Sequence, residues 1–299
     1  MYTEAERDSR IKVFFPGVNL TMTLVDTVAS ANRLAANHAC GMTAAIGLGE
    51  ALAGVALLGG ELSANDETVT LRLKTGGGVG GAVVEAGFGG LLRGYTCMKV
   101  LPASDSKPEP SASEIWGVSG SMEIIRSLPG KIISSASCDL DPVTVTEAIE
   151  RYYRQSLQRV AVAETAAARR GGVLGTARGV LVECMPDGDE EAFARVHQFF
   201  EDNTIYNALM EGANAETICD IIRLPFAKIG RPEPLRFGCR CSEDRVKAML
   251  AGLPESDLQA LLDECKPAEI TCHMCGQHYS VGLIELVKLM NEKRSTPES

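Results

Sequence analysis

Three features of the chain predict an α+β fold: an N-terminal antiparallel-sheet core with a central apolar helix, a helical linker and a small C-terminal domain. From Thr68 onward, apolar and polar residues alternate with period two between glycine turns, as half-buried antiparallel strands require. Gly41 to Leu58 is apolar on nearly every side, which suits a helix at the centre of a core. Near the end, Cys239-Arg240-Cys241 and Cys272-His273-Met274-Cys275 make two close cysteine pairs joined by a helix-forming spacer. That is the layout of a tetrahedral zinc site, so the last domain is expected to be a zinc domain.

Composition narrows the function classes. The chain has 299 residues, 45% hydrophobic and 23% charged, with a net charge of -10. The negative charge opposes nucleic-acid binding, which relies on Lys and Arg to neutralise phosphates. The opening residues, Met1 to Asp8, are charged and carry no apolar signal region. Gly41–Leu58 contains Glu50 and is short for a membrane span, so a buried helix is expected. Ten cysteines without a secretory signal fit a reducing compartment. Cys40, Cys97, Cys138, Cys184 and Cys219 are solitary and read as small buried hydrophobes.

In chain order, Ile11–Thr23 reads as one or two strands and Val25–Asn37 as a helix starting near Asp26 or Thr27. Within the apolar helix the glycines permit close packing, and Glu50 is either turned to an edge or paired. No His or metal-ligand partner lies near it in sequence, which argues against catalysis, and no enzymatic constellation is predicted elsewhere. Thr68–Lys74, Ala82–Glu85 and Leu91–Val100 are strands. Gly76–Gly81 lacks Gly-Lys-Ser/Thr and leads from strand to strand, so it is no phosphate loop. Pro102–Ser113 reads as a polar loop, followed by strands at Ile115–Ser127 and Lys131–Cys138. Asp141–Glu147 opens a helix to about Gln155, with Glu147 able to reach back toward its start. Leu157–Glu164 and Gly179–Met185 pair as strands across a small-residue turn at Ala166–Gly172. Residues 1–186 form the expected core. Residues 187–230 form an acidic helical linker with thin apolar stripes and no strand, and residues 231–299 form the zinc domain.

Three chemistries compete for the cysteine cluster. Four thiolates satisfy a closed structural zinc site, with Cys239, Cys241, Cys272 and Cys275 as ligands and His273, His278 and Cys265 as rivals. A dithiol oxidoreductase would use Cys272-x-x-Cys275, but such a site belongs in a βαβ unit near the start of a domain. A nucleic-acid-binding zinc ribbon needs a basic surface. Between Cys239 and Cys275, Arg240, Arg245, Lys247 and Lys266 are outnumbered by seven acidic residues.

The segments Cys239-Arg240-Cys241-Ser242 and Cys272-His273-Met274-Cys275-Gly276-Gln277-His278-Tyr279, with Leu253-Pro254 between them, resemble the redox-regulated thirty-three-kilodalton heat-shock holdase chaperones. Looser likeness runs upstream through Arg93-Gly94-Tyr95 and the Gly172 to Met185-Pro186 hairpin. The resemblance implies a cytoplasmic, ATP-independent chaperone, inactive while Cys239, Cys241, Cys272 and Cys275 hold one Zn2+ per chain. Oxidation of those cysteines would then release zinc, unfold the C-terminal domain and linker, and give a homodimer that binds unfolding client proteins. It implies neither nucleic acid nor membrane as partner.

Overall fold

Period-two segments and apolar helices assemble, in the computed structural model, into two compact units, Met1–Gly238 and Cys239–Ser299. The structure describes residues 8–107 and 109–295. The charged opening stretch before Asp8, and Pro108 of the expected 102–113 loop, lie outside them.

The first unit begins with strands β1 (Ser9–Phe15) and β2 (Leu20–Asp26), then helices α1 (Val28–Asn37) and α2 (Met42–Leu58). Strands β3 (Thr68–Thr75), β4 (Gly81–Gly87) and β5 (Leu91–Thr96) follow, then short helices α3 (Pro102–Asp105) and α4 (Ala112–Trp116). Next come β6 (Gly120–Leu128), β7 (Lys131–Leu140), α5 (Val145–Arg151), β8 (Val160–Arg170) and β9 (Val173–Cys184). Helices α6 (Glu190–Glu201), α7 (Thr204–Glu211) and α8 (Ala215–Ile222) precede three two-residue strands, β10 (Lys228–Ile229), β11 (Glu233–Pro234) and β12 (Arg236–Phe237). One sheet runs β10-β1-β2-β9-β8, with β11 also on β1, and the other runs β12-β5-β4-β3-β6-β7.

Helix α2 lies between the sheets, against β8 and β9 of one and β4 and β5 of the other. Leu48, Leu52, Leu57 and Leu58 are fully buried, each contributing about 1.5–3 kcal/mol of transfer free energy. Its glycines set the spacing. A Cβ at Gly54 would come within 2.4 Å of Val145 Cγ1, and one at Gly49 within 3.1 Å of Ala167. The helical stretch Met42–Glu61 is long and apolar enough to cross a membrane, contrary to the expectation from length, yet 89% of its apolar 18-residue window is buried inside the protein.

Several element boundaries differ from expectation. Ile115 and Trp116 belong to α4, which opens on a reciprocal cap between Ser111 and Glu114; the strand starts only at Gly120. Ala166–Ala168 stays in β8, paired with β9, where Ala167 meets α2 at Gly49 and Ala166 packs under α6–α8, so the turn moves out to Gly171. Thr144 accepts from the Glu147 amide, while the Glu147 carboxylate turns to Arg151. The helix then loosens into a π turn at Tyr152–Leu157. A short strand, β10, does occur in the 187–230 segment. Of the solitary cysteines, Cys97 is exposed and the other four are only half-buried.

Helices α6 and α8 start on side-chain caps from Asp189 and Asn214, whereas α7 has no side-chain cap. Each buries only three or four residues, among them Phe193, Val196, Phe200, Ile205, Leu209, Ile218 and Ile222. These pack on Phe15, Met22, Val162 and Val180 of the sheet. Strands β10, β11 and β12 tie the following segment to β1 and β5, so the first unit extends to Gly238.

A cleft of about 490 Å³ opens beside α2, lined by Glu50, Trp116, Thr146, Glu164, Arg169 and Tyr206 among others. Glu50 is paired: Trp116 Nε1 donates to its Oε2 at 2.6 Å. Burial is the main cause that pushes Glu50 up to about 7, with Glu164 adding repulsion. Glu164 is likewise pushed up to about 7 by burial, against a hydrogen bond from the Thr165 amide. Ionisation in the unfolded chain begins near the usual carboxylate value of about 4.5, below that in the fold. Stability from these groups is therefore complete below about pH 4.5 and is lost as pH rises to about 7. At pH 8, Glu50→Gln is expected to be more stable than the parent by roughly 1–3 kcal/mol, and equal to it near pH 4.5. Denaturant unfolding followed by the fluorescence of Trp116, the single tryptophan, checks this; equal stability at both pH values refutes it.

Candidate metal centre

Local structure in the second unit is built around its cysteines. Ser242, directly after Cys241, caps helix α9 (Glu243–Ala251) by accepting from the Arg245 amide at 3.2 Å, with Glu243 and Asp244 at the positive end of the helix. Helix α10 (Glu255–Asp263) follows a turn at Pro254. Strands β13 (Ala268–Thr271) and β14 (His278–Val281) pair antiparallel, and helix α11 (Leu283–Ser295) closes the unit, an element the sequence reading did not include. Val246, Leu250, Leu258, Ala268, Val281, Leu286, Leu289 and Met290 form the core.

The loop between β13 and β14 is a knuckle. The Cys272 amide donates to Gln277 O at 2.9 Å and the Gly276 amide to Cys272 O at 2.8 Å. Gly276 has φ 70°, a left-handed conformation that costs a glycine little. This reversal turns Cys272 and Cys275 to the same side as Cys239 and Cys241. The four Sγ atoms lie within 4.8 Å of one another. Cys241 and Cys275 are 3.4 Å apart and Cys239 and Cys272 3.8 Å. A tetrahedral zinc with Zn–S bonds of about 2.3 Å sets its sulfurs about 3.8 Å apart, so the four thiols fit such an ion.

Electrostatics point the same way. Burial pushes the Cys241 and Cys275 thiols up from their ordinary value, against hydrogen bonds from the Tyr279 hydroxyl and the Gln277 amide respectively. Four thiolates at this separation repel one another, and a central dication is what relieves that. The Tyr279 hydroxyl donates to Cys241 Sγ at 3.0 Å.

The remaining candidates lie outside the cluster. His278 Nδ1 pairs with Thr271 Oγ1 at 2.8 Å, and His273 is not one of the four clustered ligands. Cys265 is exposed, in a left-handed conformation after α10. Cys272 and Cys275 stand between antiparallel strands, not at a strand-to-helix step. Tyr279 and the Gln277 amide were missed as partners of the sulfurs; the Gln277-His278-Tyr279 run beside the second pair was their only sequence signal.

The fold and site define a two-unit α+β protein with a C-terminal four-cysteine centre able to hold a metal ion. The family model described as Hsp33 protein matches residues 8–282. A 33 kDa chaperonin of Lactiplantibacillus plantarum is 27% identical over 271 residues, covering 89% of this chain and 90% of that protein. One of Levilactobacillus brevis is 26% identical over 298 residues, covering 96% and 99%. The crystal structure of a 33 kDa chaperonin from Thermotoga maritima shares the fold, with a TM-score of 0.81 at 20% identity, covering 96% of this chain and 99% of that one. The chain belongs to the Hsp33 family, a family of chaperones.

Cys272→Ser is expected to weaken divalent-metal binding by more than the roughly 10–100-fold that loss of an outer partner costs, whereas Cys265→Ser keeps one ion per chain. Metal titration with a chromogenic chelator checks both; loss of the ion in Cys265→Ser shows that the ligand set is wrong.

Proposed function

We propose that this protein is a redox-regulated, ATP-independent holdase chaperone, silent when reduced and zinc-bound and activated by oxidation of Cys239, Cys241, Cys272 and Cys275. The observation that carries the reading is the convergence of four thiols inside a small unit with a core of eight buried residues. A domain of roughly 60 residues buries only about 60% of the surface its unfolded chain exposes and is marginally stable. Bound zinc supplies ~10–16 kcal/mol of apparent folding free energy, against ~5–15 kcal/mol for the whole stability of an ordinary domain. It also holds the four sulfurs as thiolates, the form that oxidants attack.

Oxidation of two thiolates by a hydroperoxide forms one S–S bond, breaks the O–O bond and transfers two electrons to oxygen. Each disulfide removes two sulfurs from the ligand set. On this reading the unit Cys239–Ser299 then unfolds, presenting Val246, Leu250, Leu258, Leu286 and Leu289 to solvent. The 187–230 helices, each with only three or four buried residues, act as the linker that follows. The apolar surface so exposed holds unfolding clients, and the oxidised chain is a homodimer. A cytoplasmic setting and no enzymatic activity complete the proposal. The net charge of -10 argues against nucleic acid as a partner.

Peroxide at raised temperature is expected to release about one zinc per chain, as the energetics of the site require, and to let the protein suppress aggregation of a heat-denatured client without ATP. Zinc that stays bound, together with unsuppressed aggregation, refutes the proposal.

A further inference from the structure

Tyr279 lies on β14 with Ile270 opposite it on β13, and its ring packs on the core of the second unit. Its phenol is thereby held in place, and the hydroxyl donates to Cys241 Sγ at 3.0 Å. Cys272 has Cys239 Sγ at 3.8 Å and receives no hydroxyl donor among the described residues. Hydrogen bonds to a charged acceptor are stronger than neutral ones and draw electron density from it.

We infer that Tyr279 is a positioning residue that restrains oxidation of Cys241, so that the Tyr279–Cys241 hydrogen bond sets the oxidant threshold of the four-cysteine centre. This rests on the zinc-switch reading above. The step concerned is attack of the Cys241 sulfur on a hydroperoxide: an S–O bond forms, the O–O bond breaks and hydroxide leaves. A neighbouring thiolate then displaces hydroxide from the sulfenic sulfur to form the disulfide. A zinc-bound thiolate keeps two lone pairs, and a phenol donating to one of them draws electron density from the sulfur, so attack on the peroxide is slower while the donor is in place.

The size of the effect follows from ordinary constants. A hydrogen bond to a charged group changes the basicity of its acceptor by roughly ten- to a hundredfold. Thiolate nucleophilicity follows basicity with a slope of ~0.4–0.5. Removing the donor therefore speeds oxidation of Cys241 by about three- to tenfold.

The test compares the full-length chain with Tyr279→Phe, which keeps the ring and removes the hydroxyl. Two readouts are used. In the Co2+-loaded chain, the sulfur-to-cobalt charge-transfer band is expected to move to lower energy, with the metal stoichiometry unchanged. In the initial phase of a timed peroxide reaction, before zinc is released, with sulfenic acid trapped and read by mass spectrometry, the first oxidation at Cys241 is expected to be about three- to tenfold faster, with the initial rate at Cys272 unchanged. Replacing Tyr279 by 3-fluorotyrosine, a stronger donor of the same shape, should move both readouts the other way and does not depend on the folding of the phenylalanine variant. Equal acceleration of the initial rates at Cys241 and Cys272 shows a merely structural role and overturns the inference, as does an unchanged initial Cys241 rate with normal Co2+ binding. A parent chain that neither binds Co2+ nor oxidises at these cysteines overturns the zinc-switch reading and the inference together.

Discussion

Four sulfurs within 4.8 Å of one another are the constraint on which the second unit depends. Their arrangement is assembled from two pieces of chain that have no local reason to meet: the segment ahead of α9, and the knuckle between β13 and β14. The eight-residue apolar core holds these pieces in the fold, but it leaves the sulfurs crowded and, as thiolates, mutually repelling. A cation turns that repulsion into cohesion. On the proposed reading, the same crowding puts each sulfur beside others that it could join in a disulfide. On that reading, one geometry serves metal binding in the reduced state and covalent pairing in the oxidised one.

The first unit is stabilised differently. Its centre is α2, enclosed by two sheets, with Gly47, Gly49 and Gly54 each placed where a Cβ would meet a neighbouring side chain at 3.1 Å or less. Apolar burial of this kind does not respond to oxidants. Its polar exceptions are Glu50 and Glu164 in the cleft, each held toward the neutral form by burial. Charge in that cleft would appear beneath Tyr206 of α7, so the pH response of the core and the packing of the helical layer share a site.

Much of this was legible in the sequence where the signal is local. Period-two alternation located β3, the continuous apolar run located α2, and cysteine spacing located the four-thiol cluster. What was not legible is long-range. The Trp116–Glu50 hydrogen bond joins residues on α4 and α2, and the Tyr279–Cys241 bond joins β14 to the segment before α9. No spacing rule connects either pair. The run Ala166–Ala168 was taken for a turn because small residues mark turns in isolation; here they are strand residues, with Ala167 against Gly49 of α2 and Ala166 beneath the α6–α8 helices. Helix α4 did carry a readable cap, Ser111 with Glu114, but the prolines around it favoured a loop.

The contrast between the units bears on how a chemical event could have a mechanical result. A protein stabilised throughout by apolar burial would lose a little stability everywhere when one site is oxidised. Here the proposed zinc contributes ~10–16 kcal/mol to a unit whose own core is small, while the α2 core contains none of the four sulfurs. On the proposed reading, oxidation unfolds the second unit and leaves the α2 core folded. The α6–α8 layer stands between these extremes. Two of its three helices carry side-chain caps, yet each depends on the sheet beneath it for its few buried residues. A helix stabilised mainly by such contacts, and not by its own length or propensity, is the kind that can be exchanged for another apolar surface at small cost. On the proposed reading, that exchange is what a chaperone's client supplies.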